Sequence, residues 1–509
     1  MGEPMSTRFR PVVVSTAVFV VTLSALVTLS WDDVTETRHE DGDFAANSIL
    51  IDSAMSLDLV HGNYSRAVFY HPGPAFLYVQ AAGQALLFEG LGVVPTPYNA
   101  HLLAAFVLNA LLLGLSAGIV FRETDSVWAP LLLVFIAFAF SLEFAGPGLG
   151  GLLSATWMPH LYVWPFLLML VSSASVGAGR GEDIWKLALA GSLLIHGHVS
   201  FVLPVAVFLL VVTVMWIRSH RSEVLAAIPK SSRIATLIII TAALVPIVAH
   251  VIVDFPGEVD DYLDYLGTST LPPRNILDVA DFVADYWALG TLAAVLVPLL
   301  GIVGFAGAIS ATPTPKKRFL TALMLACTLA TLTTAFYAYS GVDDLSLSYL
   351  ALFYAAVPIL VWTVIGSTAA ERLTTGRPGL TWALAAALAI SWLMVLAQPD
   401  SGSTYNGSQA DEAFDSIEAL VGPDDKIVIS FEHDRWPATA GVLEQARRAG
   451  QPVCLRTEIP VFEILFTAQS ICESQTDRDV ELAITDEPPT PNAIVVFETD
   501  SFRIWATGG

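Results

Sequence analysis

The residues best suited to chemistry fall in one stretch behind a first apolar run. It reads Arg38-His39-Glu40-Asp41-Gly42-Asp43-Phe44-Ala45-Ala46-Asn47, continues through His61-Gly62-Asn63-Tyr64-Ser65-Arg66, and ends at Tyr70-His71-Pro72-Gly73-Pro74. Ionisable side chains clustered in a loop at a membrane face are functional candidates. A carboxylate just outside a bilayer, beside a buried helix, can have a shifted pKa, as a general base near neutrality requires. Asp41 and Asp43 are the carboxylates in question. Asn47 lies one turn from Asp43, at i, i+4, and can share its face. The bland alternative is a solvated acidic loop, and Glu40 and Asp41 suit it equally well. Asp41-Gly42-Asp43 also has the Asp-x-Asp form, whose oxygens can hold a divalent cation. Three letters are a weak signal, so no metal ligand set is assigned.

Histidines give a second hint. Trp157-Met158-Pro159-His160 and His196-Gly197-His198 both fall where apolar segments meet a loop. Two histidines at i, i+2 can bind metal, but no carboxylate or cysteine nearby completes a set. Lining a cavity or capping a helix is the expected use. The segment 254–286 adds Asp254, Glu258, Asp260, Asp261 and Asp264, with Tyr262 and Tyr265. Its aromatics are suited to packing sugar rings, and its charges to a solvated face.

These candidates need elements to hold them, and composition says which. Of 509 residues, 54% are hydrophobic and only 14% charged, where a soluble domain carries about 25% charged residues. The uncharged stretches are as long as a bilayer is thick, roughly 20 residues. Apolar segments lie at 11–30, 98–121, 127–143, 159–177, 186–199, 201–217, 234–253, 287–310, 319–339, 347–367 and 380–397. The first follows Arg8 and Arg10 and lacks a clear small-x-small cleavage site, so it reads as an uncleaved span. The expectation is a polytopic α-helical membrane protein with about eleven spans.

Basic residues set the orientation. With the N-terminus cytoplasmic and 73–92 treated as an interfacial helix, fourteen of the 24 Lys and Arg fall in inner loops and three, Arg38, Arg66 and Arg274, in outer loops. The other seven lie in the C-terminal segment. This positive-inside pattern puts the C-terminus outside the cytoplasm. Segment 73–92 opens on Pro72-Gly73-Pro74 and mixes Tyr78, Gln80, Gln84 and Glu89 with apolar residues, which reads as a helix with one wet face.

The transmembrane domain is thus 1–397, with a large first outer loop at 31–97, and 398–509 is a separate extracytoplasmic domain. In the latter, 426–431 and 493–497 read as strands, 439–449 as a helix and 453–456 as a short strand, giving a small α/β layer. It holds no glycine-rich phosphate loop. Cys454 and Cys472 lie in it. A tail outside the membrane permits a disulfide between them, though spacing alone does not establish one. The net charge of −23 excludes a nucleic-acid partner, which needs a basic face. It fits an acidic outer surface or a salty habitat.

The loop resembles that of the GT-C glycosyltransferases, multi-span enzymes that use polyprenyl-phosphate sugars. The likeness lies in the order of parts: a first span, an outer loop opening on Asp41 and Asp43, a short helix over 45–59, the turn His71-Pro72-Gly73-Pro74, and a juxtamembrane helix over 73–92. The stretch from Tyr64 to Pro74, the Trp157/Pro159 turn, the His198-Val199-Ser200 hairpin and the two tail cysteines are most similar to actinobacterial members. Better-known members carry Asp-Glu and a Lys-Pro-Pro turn where this chain has Asp-Gly-Asp and His-Pro-Gly-Pro. The resemblance implies a plasma-membrane enzyme of the cell envelope that moves a sugar, with inversion, from a polyprenyl-phosphate donor to a glycan, lipid or protein acceptor. It puts the catalytic base at Asp43, with Asp41 second. Asn47, Tyr64, Arg66, His71, Trp157, His160 and His198 would bind substrate. Membrane lipid is a partner, and no cofactor is required beyond the divalent cation that Asp-x-Asp allows. A transporter, or a non-catalytic relative in envelope assembly, is the competing reading. A transporter predicts paired repeats and broken, charged helices near the bilayer centre, whereas this sequence shows no repeat and few charges within its apolar segments.

Overall fold

A computed structural model describes residues 9–145, 151–220, 224–253, 255, 257–268, 274–287, 293–312, 314–396, 408–472 and 480–507. Within them, seven helices are long and apolar enough to cross a membrane: Arg10–Leu29, Pro97–Thr124, Met158–Gly177, Val199–His220, Lys230–Val253, Lys316–Ser340 and Ser348–Thr374. Trp128–Glu143, Val297–Ser310 and Pro378–Trp392 are shorter apolar helices. With the helix Ile184–Gly197, every apolar segment of the sequence falls on a helix. Residues 288–292 and Asp254 lie outside the described residues. The chain is a polytopic helical membrane protein whose C-terminal segment carries a β-sheet.

The chain packs as two compact units. The first comprises 1–30, 105–245 and 269–402, and the second 31–104, 246–268 and 403–509. The first unit is a helix bundle. Met158–Gly177 is buried throughout, whereas Lys230–Val253 has few buried residues. Leu237, Ile238 and Val245 on that helix are more than half exposed, as expected of a face turned to lipid, where apolar side chains need no protein cover. Some hydroxyls in the bundle are satisfied locally: Ser116, Ser172 and Thr363 each donate to the carbonyl four residues back.

The second unit joins the loop 31–104 to the C-terminal segment, which the sequence-based division puts in separate domains. It holds a two-stranded antiparallel pair, β1 (Tyr64–Ser65) and β2 (Phe69–Tyr70). It also holds a five-stranded sheet built from β3 (Ile427–Phe431), β4 (Val453–Arg456), β5 (Val480–Ile484), β6 (Ile494–Glu498) and β7 (Arg503–Ala506), in the order β4-β3-β5-β7-β6. β3 pairs in parallel with β4 and β5, and β7 is antiparallel to β5 and β6. The helix Trp436–Arg448 is the crossover from β3 to β4. Both strands expected from sequence, the crossover helix and the short strand are present. β5 and β7 are additions. The helix Gly42–Met55 shares one apolar core with this sheet: Ala45, Ala46 and Ile49 pack in the same cluster as Ala440, Leu443 and Phe466.

The segment 73–92 forms the helix Ala75–Gly83, which continues as a π-helical stretch over Gln84–Gly90. Its expected wet face is largely reversed. Gln80 and Gln84 are buried, while Leu86 and Leu91 are exposed along with Glu89. Gln84 explains part of this, because its amide oxygen pairs with His101 at 2.8 Å.

Candidate functional site around the Asp41–Asp43 turn

Asp41 is the N-cap residue of the helix Gly42–Met55. Its backbone is extended, as an N-cap requires, and its carbonyl accepts from the N–H groups of Phe44 and Ala45 at 3.1 Å each. Its side chain makes no capping hydrogen bond. Gly42 follows with φ +50°, a left-handed conformation that glycine adopts without strain. Asp43 sits in the first helical turn, where the helix dipole favours a carboxylate.

The Tyr64 hydroxyl donates to Asp43 Oδ1. Tyr64 is on β1, and the second unit's framework holds this strand pair firmly. The Tyr70 hydroxyl donates to the carbonyl of Ile464 at 2.9 Å. The Tyr70 N–H donates to Glu258 at 2.8 Å, and the Tyr262 hydroxyl donates to the Tyr70 carbonyl at 2.6 Å. Burial, reinforced by the Glu258 charge, pushes both tyrosine hydroxyls well above their usual range. Tyr262 and Tyr265 are half-buried and meet Phe69 edge-on, with ring centroids 5.0 and 5.7 Å away.

Glu40 departs from the solvated-loop reading most sharply. Its side chain is fully buried. Arg448 donates to both of its oxygens, at 3.0 and 2.5 Å, and Ser48 donates to Oε1 at 2.5 Å. Burial would raise its pKa, but the charge and hydrogen bonds of Arg448 more than offset this and hold the carboxyl down to about 2. Glu444, one turn before Arg448, is also fully buried. Arg448 Nε lies 3.0 Å from Glu444 Oε1, yet the pair is misaligned and neither Glu444 oxygen takes a hydrogen bond from any described residue. Burial, only partly relieved by Arg448, pushes this carboxyl up to about 8. Asp52, on the Gly42–Met55 helix, is raised by burial too.

The other candidate residues divide between the units. In the second unit, Asn47 is buried with Oδ1 accepting no hydrogen bond from any described residue. His71 is buried with its ring edge against Phe69, and Arg66 is exposed. In the first unit, Trp157 packs against His160 and Tyr349, with centroids 5.4 and 5.1 Å apart. His160 is buried. His198 Nδ1 accepts from the Ser200 N–H at 3.2 Å, and its ring meets Tyr162 and Tyr337 edge-on. Cys454 and Cys472 are bonded to each other. Among the described residues, no group of three or more His, Cys, Asp or Glu is arranged to hold a metal ion, and one oxygen of Asp43 already accepts the Tyr64 hydroxyl. No metal-dependent step is derived.

Comparison with solved structures places this architecture. ArnT from Cupriavidus metallidurans, crystallised with undecaprenyl phosphate, aligns over 99% of this chain and 98% of its own, at 13% identity and a TM-score of 0.58. The chain shares the fold of that protein. An oligosaccharyltransferase of Archaeoglobus fulgidus, solved with Zn and sulfate, aligns over 92% of this chain and 68% of its own, at 10% identity; its TM-score of 0.33 carries no argument. No protein-family model and no curated protein matches the sequence. Within this fold, the carboxylates of the 31–104 loop and the C-terminal sheet form one compact unit.

Sequence reasoning missed Glu444 and Arg448. Their i, i+4 spacing was visible, but on an isolated helix it reads as an ordinary surface pair.

Proposed function

We propose that the chain is an inverting glycosyltransferase that moves a sugar from a polyprenyl-phosphate donor to an acceptor hydroxyl on the extracytoplasmic face of the plasma membrane. The observation that carries the reading is the fold, shared over nearly the full length of both chains with a protein crystallised on undecaprenyl phosphate. The Asp41–Asp43 turn supports it, since it opens the loop directly after the first apolar helix and Asp43 is oriented by a tyrosine hydroxyl.

Asp43 acts as general base and removes the acceptor proton. The acceptor oxygen attacks the anomeric carbon from the face opposite the phosphate, the bond from that carbon to the phosphate oxygen breaks, and the polyprenyl phosphate leaves with its electron pair. Arg66 and His71 are the candidates for stabilising that charge. Asn47 and Tyr64, in the second unit beside the turn, are candidates for holding substrate there, and Trp157, His160 and His198, in the first unit, are separate substrate-binding candidates. Asp41 is the alternative base. The Cys454–Cys472 bond supports an oxidising location for the C-terminal segment, in keeping with a cytoplasmic N-terminus. Purified protein, assayed for transfer from polyprenyl-phosphate sugars, tests the reading. Transfer by wild type supports it. A folded protein inactive with every such donor sinks it.

A further inference from the structure

We infer that Arg448 and Gly441, both on the helix Trp436–Arg448, are positioning residues for the Asp41–Asp43 turn; this rests on reading that turn as the reacting site. Three contacts carry the inference, all within the second unit. Arg448 grips both carboxylate oxygens of Glu40, the residue immediately before Asp41. Such a bidentate clamp fixes orientation as well as position, because the guanidinium is a planar fork. Gly441 lets the helix backbone reach both a neighbouring helix and the turn: a Cβ there would lie 2.6 Å from Ala410 Cβ, 3.0 Å from the Glu40 carbonyl oxygen and 3.1 Å from Asp41 Cβ. At the start of the same helix, Pro437 Cβ lies 3.5 Å from where a Cβ on Gly42 would stand.

The turn is thus pressed into shape from the C-terminal segment, and its shape propagates. The Asp41 carbonyl receives the first N–H groups of the Gly42–Met55 helix, so moving Asp41 moves the helical turn that carries Asp43. Glu40 is anchored to that helix by Ser48 as well. The turn is held on one side by its own helix and on the other by a residue 408 positions away in sequence. A reacting group displaced by about 1 Å can lose about 10²-fold in rate.

The test compares three variants of the full-length protein: Arg448→Lys, Gly441→Ala and, as a control for loss of stability, Ile504→Ala, which opens the shared core at β7 while leaving the Arg448 clamp and Gly441 in place. The readouts are kcat, donor KM, Tm, and hydrogen exchange at the amides of Phe44 and Ala45, which report whether the turn is held. Arg448→Lys keeps the charge and loses the fork. It should lower kcat about 10²-fold, leave donor KM near wild type, and speed exchange at both amides. Gly441→Ala should act in the same direction. Ile504→Ala should lower Tm yet leave kcat and those amides near wild type. The inference is overturned if folded Arg448→Lys keeps wild-type kcat and exchange. It is also overturned if Ile504→Ala loses as much kcat as Arg448→Lys, since stability alone then explains both. If wild type transfers no sugar, the functional reading fails by itself and amide exchange decides the positioning claim unaided.

Discussion

Each compact unit sets a half-buried arginine among carboxylates, and the two do so differently. In the first unit, Arg122 pairs with Asp183, Glu123 and Glu182, while Lys186 reaches Asp183 at 2.7 Å and Arg180 reaches Glu123 at 3.2 Å. Three cations meet three carboxylates. In the second unit, Glu40, Asp52 and Glu444 all lean on Arg448, with weaker help from Arg447. In the balanced cluster each carboxylate has a cation beside it. The acidic cluster is short of cations, and burial drives Glu444 up to about 8. A charge surplus kept in a buried place is a mark of function more often than of stability, and this one adjoins the candidate base.

The comparison can be broken most sharply at the arginines. Replacing Arg448 by Met strands Glu40 without its bidentate partner, and thermal unfolding should register a loss of about 3–5 kcal/mol, the usual penalty for orphaning a buried charge. Arg122→Met should lose less, about 1–3 kcal/mol, because Lys186 still pairs with Asp183. Equal losses would erase the distinction.

Next in size is the hydroxyl on Asp43. Tyr64→Phe removes one hydrogen bond to a charged group, worth about 1.5–3 kcal/mol. It should lower kcat accordingly with little change in Tm. An unchanged kcat would separate Tyr64 from the chemistry.

The smallest effect concerns pH. The folded pKa of Glu444 is about 8 against an ordinary value of 4.5, so between those values the folded state binds a proton that the unfolded state has lost. Stability from this group is full below pH 4.5 and is lost as pH rises toward 8. Glu40 runs the other way: its folded pKa is about 2, so its contribution is present above 4.5 and is lost as pH falls toward 2. Glu444→Gln should therefore match wild type near pH 5 and exceed it at pH 9 by roughly 1 kcal/mol or more, about 2–4 °C in Tm. A wild-type Tm flat from pH 5 to 9 would contradict a buried, ionisable Glu444.

The helices of the bundle were legible because an apolar run long enough to cross a bilayer has few other readings. So were β3, β4 and the crossover helix, whose apolar runs are compact. β5, with Glu481 inside it, and β7, only four residues long from Arg503 to Ala506, lacked that contrast. The inward turn of Gln80 and Gln84 was hidden because a glutamine looks the same whether it faces water or a buried histidine. Around the candidate site, Asp41 and Asp43 announced themselves by position. Glu40 did not, because its partner Arg448 is brought to it only by tertiary packing, and nothing local marks a carboxylate as buried.

The central claim is sugar transfer with a loop aspartate as base, and one assay addresses it most directly. Purified wild type, Asp41→Asn and Asp43→Asn would be given polyprenyl-phosphate sugars, with the folded state of each checked by Tm. The account predicts transfer by wild type and a loss of roughly 10²–10⁴-fold in Asp43→Asn, with a smaller loss in Asp41→Asn. Transfer that survives in Asp43→Asn would contradict Asp43 as the base, and its loss in Asp41→Asn alone would move that role two residues back.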